Sequence, residues 1–395
     1  MEAILHYLRS EQPDAIVDAM CTGPERVTAE YGLDAVPLFW HHKFNPASSV
    51  RGTALKAVGK VVDAVRTASW TRRHDVVILP GSGILEASLP LLPRALPYSM
   101  FVLSAAGKLF GTKVAFVSVG AGPVHQRTTR WLFNSAARLA SYRSYRDPGA
   151  LEAMRARGLD TSQDHVYPDL AFALPVPDYD PGHAELVGVG VMAYFGTNDE
   201  RNESNEIHSS YVAAMKRLVR WLVDDGRTVR LLVGDTNGSD DSVVQDILED
   251  VRTNRPELPA SRVTTEPVST FADVMRVMQP LGSVIAIRYH NILCALKLSK
   301  PTISISYSPK HDVLMADMGL PTFCQDVNSL DHDRLIELFN ELQSRSGELR
   351  ETVRERNRAK GALLRGQFDD LSATLFPSRE SGRAELSHSA VTAAS

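Results

Sequence analysis

An arginine, a histidine and a lysine stand at the ends of two neighbouring apolar segments in the stretch IAIRYHNILCALKLSKPTISISYSPK, residues 285–310. The first segment ends in Arg288 and His290, and Lys310 follows the second. Because side chains alternate faces along a strand, we expect Arg288 and His290 to point the same way. Asn291 is expected to cap the helix that follows, whose N-terminus adds partial positive charge. The pattern predicts an anion site that also holds a proton donor. A plain surface lysine is the alternative interpretation of Lys310.

Two glycine-rich turns follow predicted strands in the first half of the chain. DVVILPGSGILEA contains Gly81, Ser82 and Gly83, and FVSVGAGPV contains Gly120 and Gly122. Glycine permits tight turns and the close approach of a ligand to the backbone. Neither GxGxxG nor the P-loop pattern is present, so a plain strand-to-helix turn explains each one equally well. Two such turns at the carboxyl ends of strands in one domain favour a ligand cleft.

Arg146 precedes a predicted helix that starts with the N-cap Asp147 and Pro148 and stops at Gly158. A cation beside a helix N-terminus opposes the helix dipole unless an anion lies between them. Arg146 is therefore a candidate ligand for an anion, and the alternative is an exposed or Asp-paired arginine. Asp169 ends the segment HVYPD and is either a hinge cap or an acid of the site.

Composition excludes several functional classes. The net charge of −4 over 395 residues gives no global attraction to nucleic acid or to an anionic membrane. Three cysteines without CxxC spacing argue against disulfides or zinc and fit a reducing cytoplasm. No basic leader is visible, and the most apolar region, residues 89–124, is broken by prolines and charges before it reaches the ~20 residues of a membrane span. The loop at 234–241 resembles a calcium loop only loosely. We expect a soluble, cytoplasmic protein without a metal.

Short apolar runs rich in β-branched residues alternate with helical patterns along the chain, which predicts βαβ units and parallel sheets. A Pro-, Gly- and Asp-rich linker at 173–185 separates two series of such units. The sequence therefore predicts two doubly wound, Rossmann-like domains, 1–175 and 184–345, with a ligand cleft between them. A C-terminal helix at 346–376, the second of a helical pair, and a disordered tail at 377–395 are expected to follow.

These motifs together resemble the polysaccharide pyruvyl transferase family, from about residue 2 to residue 320. The landmarks that carry the resemblance are EAILHYL, DVVILPGSGILE, VSVGAGP, SYRDPGALEAMRARG, YPDLAFAL, VGVGVM and, as the most specific, IAIRYHNILCALKLSKPTISISYSPK. One departure is that the family usually begins with a strand and an NxGD turn just before EAIL. Either the first strand is missing here or the given start is internal.

The resemblance implies a fold like that of B-type glycosyltransferases and a ketal-forming reaction. Members move a carboxyethylidene group from phosphoenolpyruvate to two hydroxyls of a sugar. By position, Arg146, Arg288 and Lys310 would hold the phosphate and carboxylate of phosphoenolpyruvate, and His290 would be the general acid. The expected acceptor is a sugar of a cell-surface glycan, glycolipid or precursor, and a lipid-linked acceptor would bring peripheral membrane contact. No cofactor is implied.

The chemistry of these residue types agrees with that reaction. Phosphoenolpyruvate carries two anionic groups close together, which calls for several cations and favours arginine. An imidazolium is a suitable acid near neutral pH, and guanidinium groups can stabilise the leaving phosphate without a metal. Two alternatives remain open: a B-type glycosyltransferase with a nucleotide-sugar donor, and a non-catalytic anion-binding relative. The base for the acceptor hydroxyl is open between Asp169 and Glu86.

Overall fold

A computed structural model describes residues 1–40, 50–81, 83–86, 95–178, 180, 182–196, 204–234 and 240–376. For residues 50–57 it describes the backbone alone. Ser82, residues 235–239 of the calcium-like loop and the expected tail at 377–395 lie outside the described residues. The chain forms two compact units. Unit 1 comprises Met1–Leu174 and Ala362–Ser395, and unit 2 comprises Pro175–Gly361.

Unit 1 is built from alternating helices and parallel strands. Its strands are β1 (Asp18–Cys21), β2 (Asp34–Pro37), β3 (Val76–Pro80), β4 (Lys113–Val119), β5 (Tyr142–Tyr145) and β6 (His165–Val166). Its helices are α1 (Glu2–Glu11), α2 (Pro24–Tyr31), α3 (Val50–Thr71), α4 (Leu96–Phe110), α5 (Arg127–Leu139) and α6 (Pro148–Ala156). Strands β1 and β2 pair with each other, and β3-β4-β5-β6 form a parallel sheet in that order. Strand β4 is buried from Val114 to Val119, because its apolar run lies in the interior of the sheet, between β3 and β5.

Unit 2 contains a six-stranded parallel sheet. Its strands are β7 (His183–Gly190), β8 (Thr228–Leu232), β9 (Val263–Thr265), β10 (Leu281–Ala286), β11 (Thr302–Ser306) and β12 (Cys324–Asp326). Its helices are α7 (Ser204–Asp224), α8 (Asp241–Asn254), α9 (Phe271–Met278), α10 (Tyr289–Lys297), α11 (Pro309–Asp317) and α12 (His332–Ser344). The spatial order β12-β11-β10-β7-β8-β9 is that of a Rossmann sheet. Its strand order reverses between β7 and β10, which is where such sheets bind ligands.

A last helix, α13 (Ser346–Leu375), contributes residues to both units. In unit 2, the Asn357 side chain donates to the carbonyl of Leu296 at 2.8 Å, near the end of α10. In unit 1, Gln367 donates to the hydroxyls of Ser118 and Ser144, both at 2.9 Å. Ser118 has the left-handed φ of 49°, so these buried bonds hold a strained residue near the end of β4. The predicted C-terminal helical pair corresponds to α12 and α13.

Local sequence accounts for the helix ends next to the candidate site in unit 1. Asp147 caps α6 by accepting from the Ala150 amide at 2.7 Å, and Pro148 occupies the first helical position, as predicted. Gly158 has φ +82° and ends the turn after α6. Among the described helices, none combines the length and apolar character that crossing a bilayer requires.

Candidate active site

The Arg288–His290 stretch lies at the point where β10 passes into α10. Strand β10 ends at Ala286, and Arg288 is already the N-cap of α10. The predicted strand alternation was therefore wrong: His290 lies in the first helical turn, where its side chain is exposed. The turn places His290 beside the strand-order reversal of the unit 2 sheet, at the carboxyl end of β10.

Asn291 does not cap the helix, and that prediction was also wrong. Its side chain is fully buried, and its amide nitrogen lies 3.5 Å from the Leu232 carbonyl at the end of β8. A Cβ on Gly190 would come within 2.9 Å of the Asn291 amide, and one on Gly234 within 3.1 Å of its oxygen. The two glycines leave room for Asn291 between the ends of β7 and β8, so the helix starts before it.

Arg288 is held by a carboxylate that the sequence did not single out. Its Nε donates to Asp240 Oδ2 at 2.9 Å and its Nη2 to Oδ1 at 2.6 Å, a bidentate pair. Asp240 is fully buried and also accepts from the Ala193 amide at 2.9 Å. The pair fixes the direction of the guanidinium at the sheet edge. Asp240 lies in the stretch 234–241, which resembles a calcium loop only loosely, and only the need to balance Arg288 could have indicated it.

Lys310 lies in the first turn of α11, the helix that follows the neighbouring strand β11. Its Nζ is 5.5 Å from the ring centre of Tyr289 and 5.7 Å from that of Tyr307, within the range of cation–π attraction. Tyr289 directly precedes His290. The structure thus brings Arg288, His290 and Lys310 to one edge of the unit 2 sheet.

His311 supports this edge from inside the protein. Its ring is fully buried, stacks on Tyr289 with centroids 5.7 Å apart, and accepts a hydrogen bond from the Tyr307 amide at 3.3 Å. Burial, with a smaller contribution from the charge of Lys310, lowers the pKa of His311 to about 3. The ring is therefore neutral near physiological pH. Sequence reasoning missed His311, because nothing in SPKHDVL distinguishes a buried histidine from an exposed one.

The two glycine-rich turns of unit 1 lie against each other. The Leu85 amide donates to the Gly120 carbonyl at 3.1 Å. A Cβ on Gly83 would lie 2.9 Å from Glu86 Oε2, and one on Gly120 only 2.5 Å from Glu86 Oε1 and 2.7 Å from Arg146 Nη2. These two glycines make room for a pair of side chains from this chain. A Cβ on Gly122 would meet Glu86 at an ordinary 3.4 Å, and one on Gly81 would press on the Ser118 carbonyl at 2.9 Å.

Arg146 and Glu86 form that pair. Arg146 Nη2 lies 2.6 Å from Glu86 Oε1, and its Nε lies 3.6 Å from Asp147 Oδ2. Glu86 therefore supplies a negative charge that offsets the cation beside the α6 N-terminus. Asp169 has a different place: it accepts from the Ala171 amide at 3.0 Å and caps a short 3₁₀ turn, Leu170–Ala173, at the end of this part of unit 1. In this structure Asp169 therefore acts as a cap of that turn.

Comparison with known proteins assigns the family. The polysaccharide pyruvyl transferase family model matches residues 1–309. The chain belongs to this family. It is therefore a transferase enzyme, as the motifs indicated, and the match includes Arg146, Arg288 and His290 and ends just before Lys310. No curated protein sequence matches the chain significantly.

Several solved structures share the fold of this chain at low sequence identity. They include UDP-GlcNAc 2-epimerase from Neisseria meningitidis, with 12% identity, TM-score 0.55, and 94% of this chain and 96% of that chain covered. A lipopolysaccharide outer core galactosyltransferase has 12% identity, TM-score 0.52 and coverages of 94% and 93%. An Anabaena protein solved with UDP and glucose has 10% identity, TM-score 0.54 and coverages of 93% and 95%. The predicted fold, like that of B-type glycosyltransferases, is confirmed.

Proposed function

We propose that this enzyme transfers a carboxyethylidene group from phosphoenolpyruvate to two hydroxyls of a sugar in a cell-surface glycan, glycolipid or precursor. The observation that carries the proposal is the convergence of Arg288, His290 and Lys310 after the carboxyl ends of the neighbouring strands β10 and β11, in a chain of this family. Two cations match the two anionic groups of the donor, and the imidazole supplies an acid. The saccharide acceptor is consistent with the sugar substrates named for the structural neighbours.

In the proposed reaction, His290 is the general acid that protonates the donor. Protonation of the donor's CH₂ carbon by His290 leaves an oxocarbenium-like centre at the adjacent carbon, and the first sugar hydroxyl attacks it. Phosphate then leaves, which regenerates the cationic centre, and the second hydroxyl attacks to close the ketal. Of the two hydroxyl protons released, one restores His290 and the other protonates phosphate. Arg288 and Lys310 stabilise the negative charge that phosphate gains as it departs.

Arg146 is proposed as a third cation for the donor, with Glu86 as its partner in the unliganded protein. Glu86 is 26% exposed, so an incoming anion can take its place on the guanidinium while the carboxylate remains solvated. Asp169 is instead bonded to a backbone amide as a cap, so Glu86 is the better choice for the base that receives an acceptor proton and passes it to phosphate.

Incubation with phosphoenolpyruvate and lipid-free sugar acceptors tests the reaction directly. We expect release of phosphate and a product whose mass equals the acceptor plus pyruvate minus water. Thermal stabilisation by phosphoenolpyruvate, and none by UDP-sugars, is expected in the absence of acceptor. Stabilisation by UDP-sugars alone would contradict the proposal and favour a glycosyltransferase. Stabilisation by phosphoenolpyruvate without turnover on any acceptor would favour a non-catalytic anion-binding protein.

A further inference from the structure

Positive charge is concentrated on three consecutive helices of unit 1, although the whole chain is acidic. Helices α3, α4 and α5 contain eight lysines and arginines, whereas the chain as a whole has 43 of these against 47 acids. The single acid in the three helices, Asp63, is buried and lies 3.1 Å from Lys60. These three helices are therefore strongly basic, although the net charge of the whole chain is −4.

The same layer exposes large apolar side chains. On α3, Val58, Val61 and Val65 follow the spacing i, i+3, i+7 and are 56–64% exposed. The opposite face of this helix buries Gly59, Asp63 and Thr67 and, near the helix end, the ring of Trp70. Before Trp70 this is the reverse of the usual arrangement of an amphipathic helix packed on a sheet, so burial within unit 1 does not explain the three exposed valines.

Helices α4 and α5 continue this surface. Leu109 is 76% exposed at the end of α4, and Trp131 is 56% exposed on α5. Arg127, Trp131 and Arg138 share one face of α5, with Arg130 beside it, and all four side chains are exposed. We call the exposed apolar and basic side chains of these helices the helix layer surface; it consists of Val58, Val61, Val65, Lys108, Leu109, Phe110, Arg127, Arg130, Trp131 and Arg138.

Direct contacts show that the three helices lie side by side. Arg72, just after α3, places its guanidinium 5.6 Å from the ring centre of Phe110 at the end of α4. Phe101 of α4 and Trp131 of α5 have ring centroids 5.2 Å apart. The charges and apolar groups therefore belong to one helical layer rather than to separate places on unit 1.

We propose that the helix layer surface docks unit 1 onto an anionic lipid bilayer. Apolar side chains enter the acyl boundary, tryptophan favours the headgroup level, and cations attract anionic lipids. Nucleic acid fits less well, because phosphate contacts leave the exposed valines unused. A second copy also fits less well, since a two-fold interface would bring the same basic surface against itself.

Vesicle sedimentation of the full chain tests this proposal without any use of phosphoenolpyruvate. We expect binding to vesicles containing phosphatidylglycerol, weakened by salt, and little binding to phosphatidylcholine alone. Charge reversal by Arg127→Glu, Arg130→Glu and Arg138→Glu together should weaken binding at least about tenfold. Replacing Val61 and Val65 by Ser and Trp131 by Ala should weaken it several-fold. These residues are exposed, so circular dichroism should show an unchanged fold.

A matched triple reversal on α13 provides the control. Arg356, Arg358 and Arg365 are also exposed, and their replacement by Glu changes the net charge equally. This control should bind within about twofold of the parent. Equal loss in both triple variants, equal binding to neutral vesicles, no vesicle binding at all, or a parent dimer that the α5 variant dissociates would each overturn the proposal. So would duplex DNA that binds tighter than vesicles and depends on the same arginines.

The vesicle result is independent of the proposed reaction. The α5 triple variant should keep the parent's rate of ketal formation on a lipid-free acceptor, because none of its three residues belongs to the candidate active site. Failure of the parent to form any ketal would contradict the reaction and leave vesicle binding intact.

Discussion

Arg146 in unit 1 and Arg288 in unit 2 both follow a predicted strand and both contact a carboxylate, but their partners differ. Asp240, the partner of Arg288, is fully buried and also accepts a backbone amide. Glu86, the partner of Arg146, is 26% exposed and lies in space left by glycines. The protein interior therefore fixes Arg288, whereas the Arg146 pair can open at lower cost. Two arginines in similar sequence positions therefore differ in how firmly their carboxylate partners hold them.

The candidate site residues of unit 2 are more exposed to solvent than the pair of side chains in unit 1. His290 is exposed in the first turn of α10, and Lys310 is partly exposed over Tyr289. The neutral His311 and two tyrosine rings support them from below. In unit 1, the glycine turns instead surround a pair of side chains. We therefore expect the chemical step to depend on unit 2, and Arg146 to contribute mainly to donor binding.

The largest effect is expected from His290→Ala. Loss of the general acid should lower kcat about 10²–10⁴-fold, while the affinity for phosphoenolpyruvate, measured by thermal shift, changes only a few-fold. His6→Ala, on the exposed side of α1, is the matched control and should leave kcat unchanged. A kcat of His290→Ala close to that of the parent would exclude His290 as the acid and move the search for it to unit 1.

The next largest effect is on the free energy of unfolding, which we expect Asp240 and Glu86 to influence to different degrees. Asp240→Ala removes a buried partner of Arg288 and should lower the free energy of unfolding of unit 2 by about 3–5 kcal/mol. Glu86→Ala removes the main partner of Arg146, whose side chain is 10% exposed, and should lower that of unit 1 by about 1–2 kcal/mol. Hydrogen exchange of peptides from α10 and α6 in urea measures each unit separately. Equal losses at the two sites would contradict the difference drawn between them.

The glycines of unit 1 allow a test within one turn. Gly120→Ala would push a methyl group into Glu86 and Arg146, so we expect a loss of about 1–3 kcal/mol in unit 1 and weaker phosphoenolpyruvate binding. Gly122→Ala, whose nearest contact is an ordinary 3.4 Å, should change stability by less than about 0.5 kcal/mol. If both variants behave alike, Gly120 does not serve the Glu86–Arg146 pair.

Most of the fold follows from patterns that are local in the sequence. Apolar runs of strand length, the Asp147-Pro148 helix start and the stop at Gly158 each depend on neighbouring residues, and these predictions agree with the structure. The exact point where β10 becomes α10 does not follow from them, because the polar residues 288–291 suit the end of a strand as well as the first turn of a helix. Asn291 looked like a cap there, yet space beside Gly190 and Gly234, distant in sequence, buries it.

The ion-pair partners of Arg288 and Arg146 could not be predicted from the sequence, because they too are distant in sequence. Asp240 contacts Arg288 across 48 residues and Glu86 contacts Arg146 across 60. One chain shows which residues carry charge, but pairing depends on which strand ends the topology brings together. The glycines next to Glu86 were recognised as places of close approach, although the approaching group is a side chain of the same protein.

The smallest effect concerns the support beneath Tyr289 and Lys310 and appears as pH dependence. His311 is neutral in the folded protein, because burial lowers its pKa to about 3, whereas in the unfolded chain it has the ordinary value near 6.5. Between these values the unfolded state binds the additional proton, so stability falls as pH falls below 6.5. At pH 5.5 the loss should be about 1.4 kcal/mol relative to pH 7.5. His311→Gln, which can still accept from the Tyr307 amide, should lack this part of the acid sensitivity when hydrogen exchange of α11 peptides is compared at the two pH values. An undiminished pH dependence in this variant would mean that His311 binds a proton as readily in the folded as in the unfolded state, and that at pH 5.5 the edge of unit 2 carries one more cation beside Lys310.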